Sequence, residues 1–289
     1  MSTLIAGAAR PEADCMRCSQ VPSAAVEEEP LLAAQPLSAS TKPRAHPAIA
    51  LETFVMQKDT IRLLKTLQSR SLLILSTAAI VLVWQLPYGQ QLLYPLTLLA
   101  TYAHEMGHGL TALLLGADFD QMLLHADGSG MAVWRGNPGR VASALIAAGG
   151  LVGPTFAGVA LLLASRTPRF ARAVLAALSA LLLVSMALWS RNMFGVAFLI
   201  AVAVTLGLAA KALPDAAAAF VLHLIAATLC MSWFNNLGYM FSAQAIVNGV
   251  AMPSDSAVIA QALWLPYWFW GGVVAVLSLG VTALAVAKT

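Results

Sequence analysis

Charged residues are scarce in this 289-residue chain, at 10% of its composition, whereas soluble domains carry about 25%. Apolar residues make up 60% and the mean hydropathy is +0.79, which excludes an ordinary water-soluble domain. The net charge of +3 is not gathered in one basic block, which argues against a nucleic-acid partner. Its three cysteines exclude a disulfide framework. The chain also lacks a Gly-rich phosphate loop, which argues against an ATP-driven pump. These absences predict a membrane protein.

The few charged residues divide the chain into three parts. Residues 1–50 are rich in Ala, Ser, Pro and Glu, without a sustained apolar period, which predicts a disordered N-terminal tail. Residues 51–70 alternate apolar side chains with Lys and Arg, which predicts an amphipathic juxtamembrane helix on the membrane surface. Residues 71–289 hold the long apolar runs and form the predicted transmembrane domain.

The apolar runs predict an all-α polytopic membrane protein with six or seven transmembrane helices, because each crossing needs roughly 20 apolar residues. Basic residues before the first run favour a cytoplasmic N-terminus. Strict alternation then places Arg166, Arg169 and Arg172 outside, against the same rule, so a re-entrant segment and a different number of spans remain alternatives. The Ala-rich composition indicates a bacterial inner membrane. The candidate spans are 71–87, 91–115, 141–164, 171–189, 192–210, 216–234 and 264–287.

Three ionisable residues lie inside the second apolar run, in His104-Glu105-Met106-Gly107-His108. On a helix, His104 and His108 stand one turn apart on the same face, so both imidazoles can bind one zinc ion. Glu105 lies beside them, where it can take a proton from water activated by the metal. The alternative is a structural polar cluster that packs helices together. Ionisable groups within a membrane are costly and usually functional, which favours the metal site.

These residues and three further segments resemble the site-2 protease family, whose members are zinc metallopeptidases that cleave peptide bonds within the membrane. The resemblance covers roughly residues 92–270. It implies a small membrane-associated β-hairpin after the catalytic helix, with Asp127-Gly128-Ser129-Gly130 as its turn; Asp-Gly is independently a hairpin signal. The other two segments are Ala147–Pro154, where glycines permit close helix contact, and Ser190–Gly195, which resembles the bacterial branch. For Ser190–Gly195, an interfacial turn with one snorkelling Arg is the alternative.

The resemblance also implies a third metal ligand and a group that binds substrate. The family supplies an Asp from a distant segment, and Asp255 is the best candidate here. Asp255 equally suits the start of a helix, where carboxylates are favourable, so ligand and helix cap both remain open. Asn235 and Asn236 are candidates for orienting the substrate or stabilising an oxyanion, with hydrogen bonds between helices as the alternative.

The function implied by the resemblance is zinc-dependent endopeptidase activity on membrane protein substrates within the lipid bilayer. In this hypothesis Zn²⁺ is the cofactor, His104, His108 and Asp255 are its ligands, and Glu105 is the catalytic residue. Two alternatives remain: a non-proteolytic zinc-binding pseudoprotease, or a transporter that uses these residues to relay protons or metal ions. The sequence shows no internal repeats of the kind that transporters contain. It does not specify an oligomeric state.

Overall fold

The computed structural model describes residues 71–83, 85–165 and 167–288. The predicted tail, 1–50, and the predicted juxtamembrane helix, 51–70, lie outside these residues. Within them the chain is mostly helical and contains two small antiparallel sheets. In chain order the elements are α1 Ser71–Val83, α2 Gly89–Leu114, β1 Asp118–Leu124, β2 Gly130–Arg135, α3 Gly139–Ala164, α4 Pro168–Trp189, α5 Met193–Ala212, α6 Asp215–Cys230, α7 Ser232–Asn235, α8 Leu237–Met240, β3 Gln244–Val247, β4 Val250–Pro253, α9 Asp255–Leu263 and α10 Tyr267–Lys288.

Four of the described helices are long and apolar enough to cross a membrane: α3, α4, α5 and α10. Their outward faces are apolar, as Leu181, Val184 and Leu188 of α4 show, and exposed apolar faces of this extent suit contact with lipid. Helices α1 and α6 are apolar but shorter. The prediction of a helical membrane protein is therefore confirmed, while the predicted count of six or seven spans exceeds the four that these criteria identify in the described residues.

Helices α2 and α3 pack with their backbones in contact. A Cβ atom on Gly107 would overlap the carbonyl oxygen of Gly149, and one on Gly153 would lie 2.8 Å from the carbonyl oxygen of Ala103. Only glycine permits this approach, which is the close helix contact predicted for the segment that ends at Pro154. The contact also brings Gly150 of α3 against the ring of His108.

The first hairpin follows α2 with almost no connecting segment. Gly116, at φ +80°, ends α2 in a Schellman motif, in which the Ala117 N–H donates to the Ala112 carbonyl at 2.9 Å. Strand β1 starts at the next residue and pairs with β2 through a turn that contains the predicted Asp-Gly. The predicted β-hairpin after the helix of the motif is therefore confirmed.

A second hairpin, β3–β4, precedes α9 and was not predicted. Asn248 (φ 49°) and Gly249 (φ 78°) both have positive φ, as the two central residues of a type I′ turn require. This turn sets Gln244 opposite Pro253 at the open end of the hairpin. The chain passes from Pro253 directly into α9, so the hairpin fixes where that helix begins.

Candidate metal centre

Helix α2 places two imidazoles together. The Nε2 atoms of His104 and His108 lie 3.1 Å apart, and the ring centroids are 4.7 Å apart in an edge-to-face arrangement. Their separation of four residues puts them one above the other on the face of α2 that is turned towards the hairpins and α9. Both side chains are largely buried, at 14% and 12% exposure.

Asp255 joins this pair from the start of α9. Its Oδ2 atom lies 3.0 Å from His104 Nε2 and 3.4 Å from His108 Nε2. The N-cap of α9 is Ser254, whose hydroxyl oxygen accepts a hydrogen bond from the Ala257 N–H at 3.2 Å. The Asp255 side chain is thus directed at the imidazoles while its neighbour caps the helix.

The three converging atoms fit a tetrahedral zinc site. Zinc bonds of 2.0–2.1 Å at tetrahedral angles place neighbouring ligand atoms about 3.3–3.4 Å apart, close to the separations of 3.0–3.4 Å observed here. The Nδ1 atom of His108 lies 2.9 Å from the carbonyl oxygen of Ile146 and donates to it, so Nε2 presents a lone pair. That lone pair faces the Asp255 carboxylate, an arrangement that a cation between them stabilises.

Glu105 is held next to these three residues. Its side chain is 5% exposed and accepts a hydrogen bond from the backbone N–H of Ala132 in β2. Gly130, at the start of β2, makes room for it, because a Cβ there would lie 2.7 Å from Glu105 Oε1. The first hairpin therefore fixes the carboxylate that the sequence assigned to catalysis.

Two cavities, of about 400 Å³ and about 280 Å³, flank the cluster. Both are lined by His104 and Glu105, by β2 on one side and by β3 on the other. Asn236 lines the larger cavity, whereas Asn235 is exposed and belongs to the lining of neither. Of the two predicted asparagines, the structure thus brings only Asn236 near the centre.

The tips of the two hairpins meet beside the larger cavity. The Ser129 hydroxyl and N–H both donate to Asp127 Oδ1, at 2.6 and 2.9 Å, and these bonds hold the pKa of the exposed Asp127 carboxyl below its usual value. Ser129 Oγ in turn accepts a hydrogen bond from the Asn248 N–H of the second hairpin, at 3.1 Å. The space over His104, His108 and Asp255 is therefore bounded by both hairpins.

The connection between α4 and α5 occupies the outer edge of β1. The Asn192 amide exchanges two hydrogen bonds with the backbone of Leu124, and the Arg191 N–H donates to the Met122 carbonyl at 3.4 Å. For this segment the sequence analysis gave an interfacial turn as the alternative. It did not predict that the segment pairs with the first hairpin. With β1 covered, the outer edge of β2 is the one that borders the cavities.

Tyr239 contacts the cluster but was not predicted from the sequence. Its hydroxyl donates to Asp255 Oδ2 at 2.8 Å, and its ring lies edge-on to that of His104 with centroids 6.0 Å apart. The only signal in the sequence was a tyrosine between the polar pair Asn235-Asn236 and the acidic candidate, within a segment that periodicity did not resolve.

The fold and this cluster define an integral membrane protein with a candidate metal centre beside a buried carboxylate. The chain belongs to the peptidase M50B-like family, which is the site-2 protease family, and the family model matches residues 73–285. The resemblance drawn from the motif is thus confirmed, while the bacterial branch stays a prediction. No curated protein and no solved structure matches this chain. Family membership indicates a membrane metallopeptidase.

Proposed function

We propose that the protein is a zinc-dependent endopeptidase that hydrolyses peptide bonds of membrane-embedded substrates. The observation that carries this proposal is the convergence of His104, His108 and Asp255 beside the buried Glu105. Three protein ligands with one open position are typical of catalytic zinc sites, whereas structural sites are closed by four. A general base adjacent to such a site is what hydrolysis requires.

The proposed metal ligands and Glu105 have separate roles in the reaction. Zinc held by His104, His108 and Asp255 would supply the Lewis acidity that makes water a nucleophile near neutral pH. Glu105 accepts the proton from the attacking water and later delivers it to the leaving amine. The hydrogen bond from Ala132 keeps the Glu105 carboxylate in place for both transfers.

The outer edge of β2 is the proposed substrate-binding edge. Ala132 lies opposite Met122 in the hairpin, and its N–H points away from β1 towards Glu105. A peptide added along this edge as an extended strand would therefore lie over Glu105 and the metal ligands. Strand addition also suits the chemistry, because a helical transmembrane substrate has to unwind before its peptide bonds become accessible.

The proposed topology has up to seven crossings. Helices α3, α4, α5 and α10 account for four, and α1, α2 and α6 are the proposed additional crossings. The histidines, Glu105 and three threonines reduce the hydropathy of α2, and the protein surrounding α2 compensates for their polarity. We place the protein in a bacterial inner membrane, with a membrane protein as its substrate.

Metal analysis of the purified full-length chain tests the centre directly. We expect about one zinc per chain, as in other catalytic zinc sites, after dialysis against zinc-free buffer. The double variant His104→Ala/His108→Ala should lose the metal, because it removes both imidazoles. His125→Ala is the matched control, since this histidine lies in the turn region of the first hairpin, and it should keep the wild-type stoichiometry. Zinc retained by the double variant would contradict the assignment.

A further inference from the structure

The backbone that carries Tyr239 is anchored in the protein core. Met240, the next residue, is 1% exposed and belongs to a buried apolar cluster with Leu151, Ile259 and Val274. The carbonyl oxygen of Met240 also rests directly on Gly271 of α10, where a Cβ atom would overlap it. The position of the Tyr239 side chain is therefore set by α3, α9 and α10 rather than by a loose connecting segment.

Two hydrogen bonds join Tyr239 to the acidic residue of the cluster. The hydroxyl donates to Asp255 Oδ2 at 2.8 Å and accepts from the Asp255 backbone N–H at 3.2 Å. The oxygen that receives this bond is the same one that lies 3.0 and 3.4 Å from the two imidazoles. One hydroxyl thus holds both the first turn of α9 and the carboxylate oxygen that faces the histidines.

A carboxylate on a flexible side chain pays conformational entropy when it becomes a ligand, unless a neighbour already fixes its rotamer. Hydrogen bonds to metal ligands from outside the coordination sphere do this, and they orient the ligating oxygen. Two neighbouring side chains have such partners: the Ile146 carbonyl holds His108, and the Ala132 N–H holds the adjacent Glu105. Tyr239 plays the equivalent part for Asp255.

We propose that Tyr239 is a positioning residue, whose hydroxyl fixes Asp255 as the third metal ligand and thereby sets the affinity of the centre for zinc. This inference rests on the proposed function only in requiring that His104, His108 and Asp255 bind the metal. It does not depend on peptide hydrolysis, so it is tested by metal binding alone.

The test measures the zinc affinity of the detergent-purified chain by competition with a chromogenic chelator. Tyr239→Phe removes the hydroxyl and keeps the ring, and we expect zinc binding about 10–100-fold weaker than in the wild type. Tyr102→Phe is the matched control, because it removes another buried hydroxyl, 2.7 Å from Ser185 Oγ, away from the cluster. Its zinc affinity should equal that of the wild type.

A double-mutant cycle separates positioning from general destabilisation. In an Asp255→Ala background, Tyr239→Phe should cause no further loss of affinity, because the carboxylate that the hydroxyl holds is gone. Substitution of Co²⁺ for zinc gives a second readout. The visible absorption of the cobalt protein reports its ligand set, and it should change in Tyr239→Phe but not in Tyr102→Phe.

Wild-type affinity and an unchanged cobalt spectrum in Tyr239→Phe would overturn the inference while leaving the metal site intact. An additional loss in the Asp255→Ala background equal to that in the wild type would also overturn it, since the hydroxyl would then act without Asp255. A wild-type chain that binds no zinc, or that keeps zinc after loss of both histidines, would instead refute the centre itself.

Discussion

Replacing Glu105 with glutamine should reduce peptide cleavage by about 10²–10⁴-fold, the usual contribution of a general acid–base group, while leaving zinc content unchanged. The amide keeps the size of the side chain, and its oxygen still accepts the hydrogen bond that Ala132 donates. It cannot accept a proton from water at neutral pH, so the loss falls on catalysis rather than on structure. The measurement is cleavage of a co-expressed single-span membrane reporter that the wild-type chain cuts.

Asp215→Asn is the matched control, because it makes the same carboxylate-to-amide change at an exposed position at the start of α6. Its cleavage rate should equal that of the wild type. Undiminished cleavage by Glu105→Gln, with zinc bound, would refute the role of Glu105 as the proton acceptor. A wild-type chain that binds zinc but cleaves no reporter would instead favour the pseudoprotease alternative.

The sequence predicted best those features of the site that depend only on residues close together along the chain. His104 and His108 are four residues apart, and the geometry of a helix alone brings their Nε2 atoms to one face. No tertiary information is needed for that step. The same holds for the first hairpin, since Asp127-Gly128 is a turn signal that acts over a few residues.

The positions of Asp255 and Tyr239 in the site depend on tertiary structure. Asp255 is separated from the motif by several helices, and only the family resemblance pointed to it among the acidic residues. Residues alone could not distinguish ligand from helix cap, because both suit a carboxylate after Pro253. Ser254 takes the cap, which leaves the carboxylate free to meet the imidazoles. Tyr239 had no signal of its own, since its role arises from a contact across the fold.

The second hairpin shows a local signal that was overlooked. Asn248-Gly249 is the dipeptide most typical of a type I′ turn, and two short apolar segments flank it. The dipeptide lies between long apolar runs, and the sequence analysis considered that region only for segments long enough to cross the membrane. The count of spans differs for a related reason: α2 contains the polar residues of the site, which reduce its mean hydropathy, and α6 has only 16 residues.

Gly150→Ala should abolish tight zinc binding, although the change adds one methyl group. Gly150 lies on α3 against the imidazole of His108, and a Cβ there would overlap the ring atoms Cε1 and Nε2. The ring cannot retreat freely, because its Nδ1 is bonded to the Ile146 carbonyl of the same helix, 2.9 Å away. We expect an affinity for zinc at least about 100-fold below that of the wild type, measured by chelator competition. Displacing a ligand should weaken zinc binding at least as much as removing a residue that only hydrogen-bonds to a ligand.

Gly272→Ala separates this effect from a general consequence of replacing glycine in a membrane helix. Gly272 lies in α10 with no atom within 4 Å of the position of a Cβ, so alanine there meets open space. Alanine has the higher helix propensity, by about 0.8–1.0 kcal/mol, so neither substitution weakens its own helix. Normal zinc affinity in Gly272→Ala together with its loss in Gly150→Ala would locate the defect at His108. Wild-type affinity in both variants would show that the imidazole does not lie against α3, and the centre would then require a different arrangement of ligands.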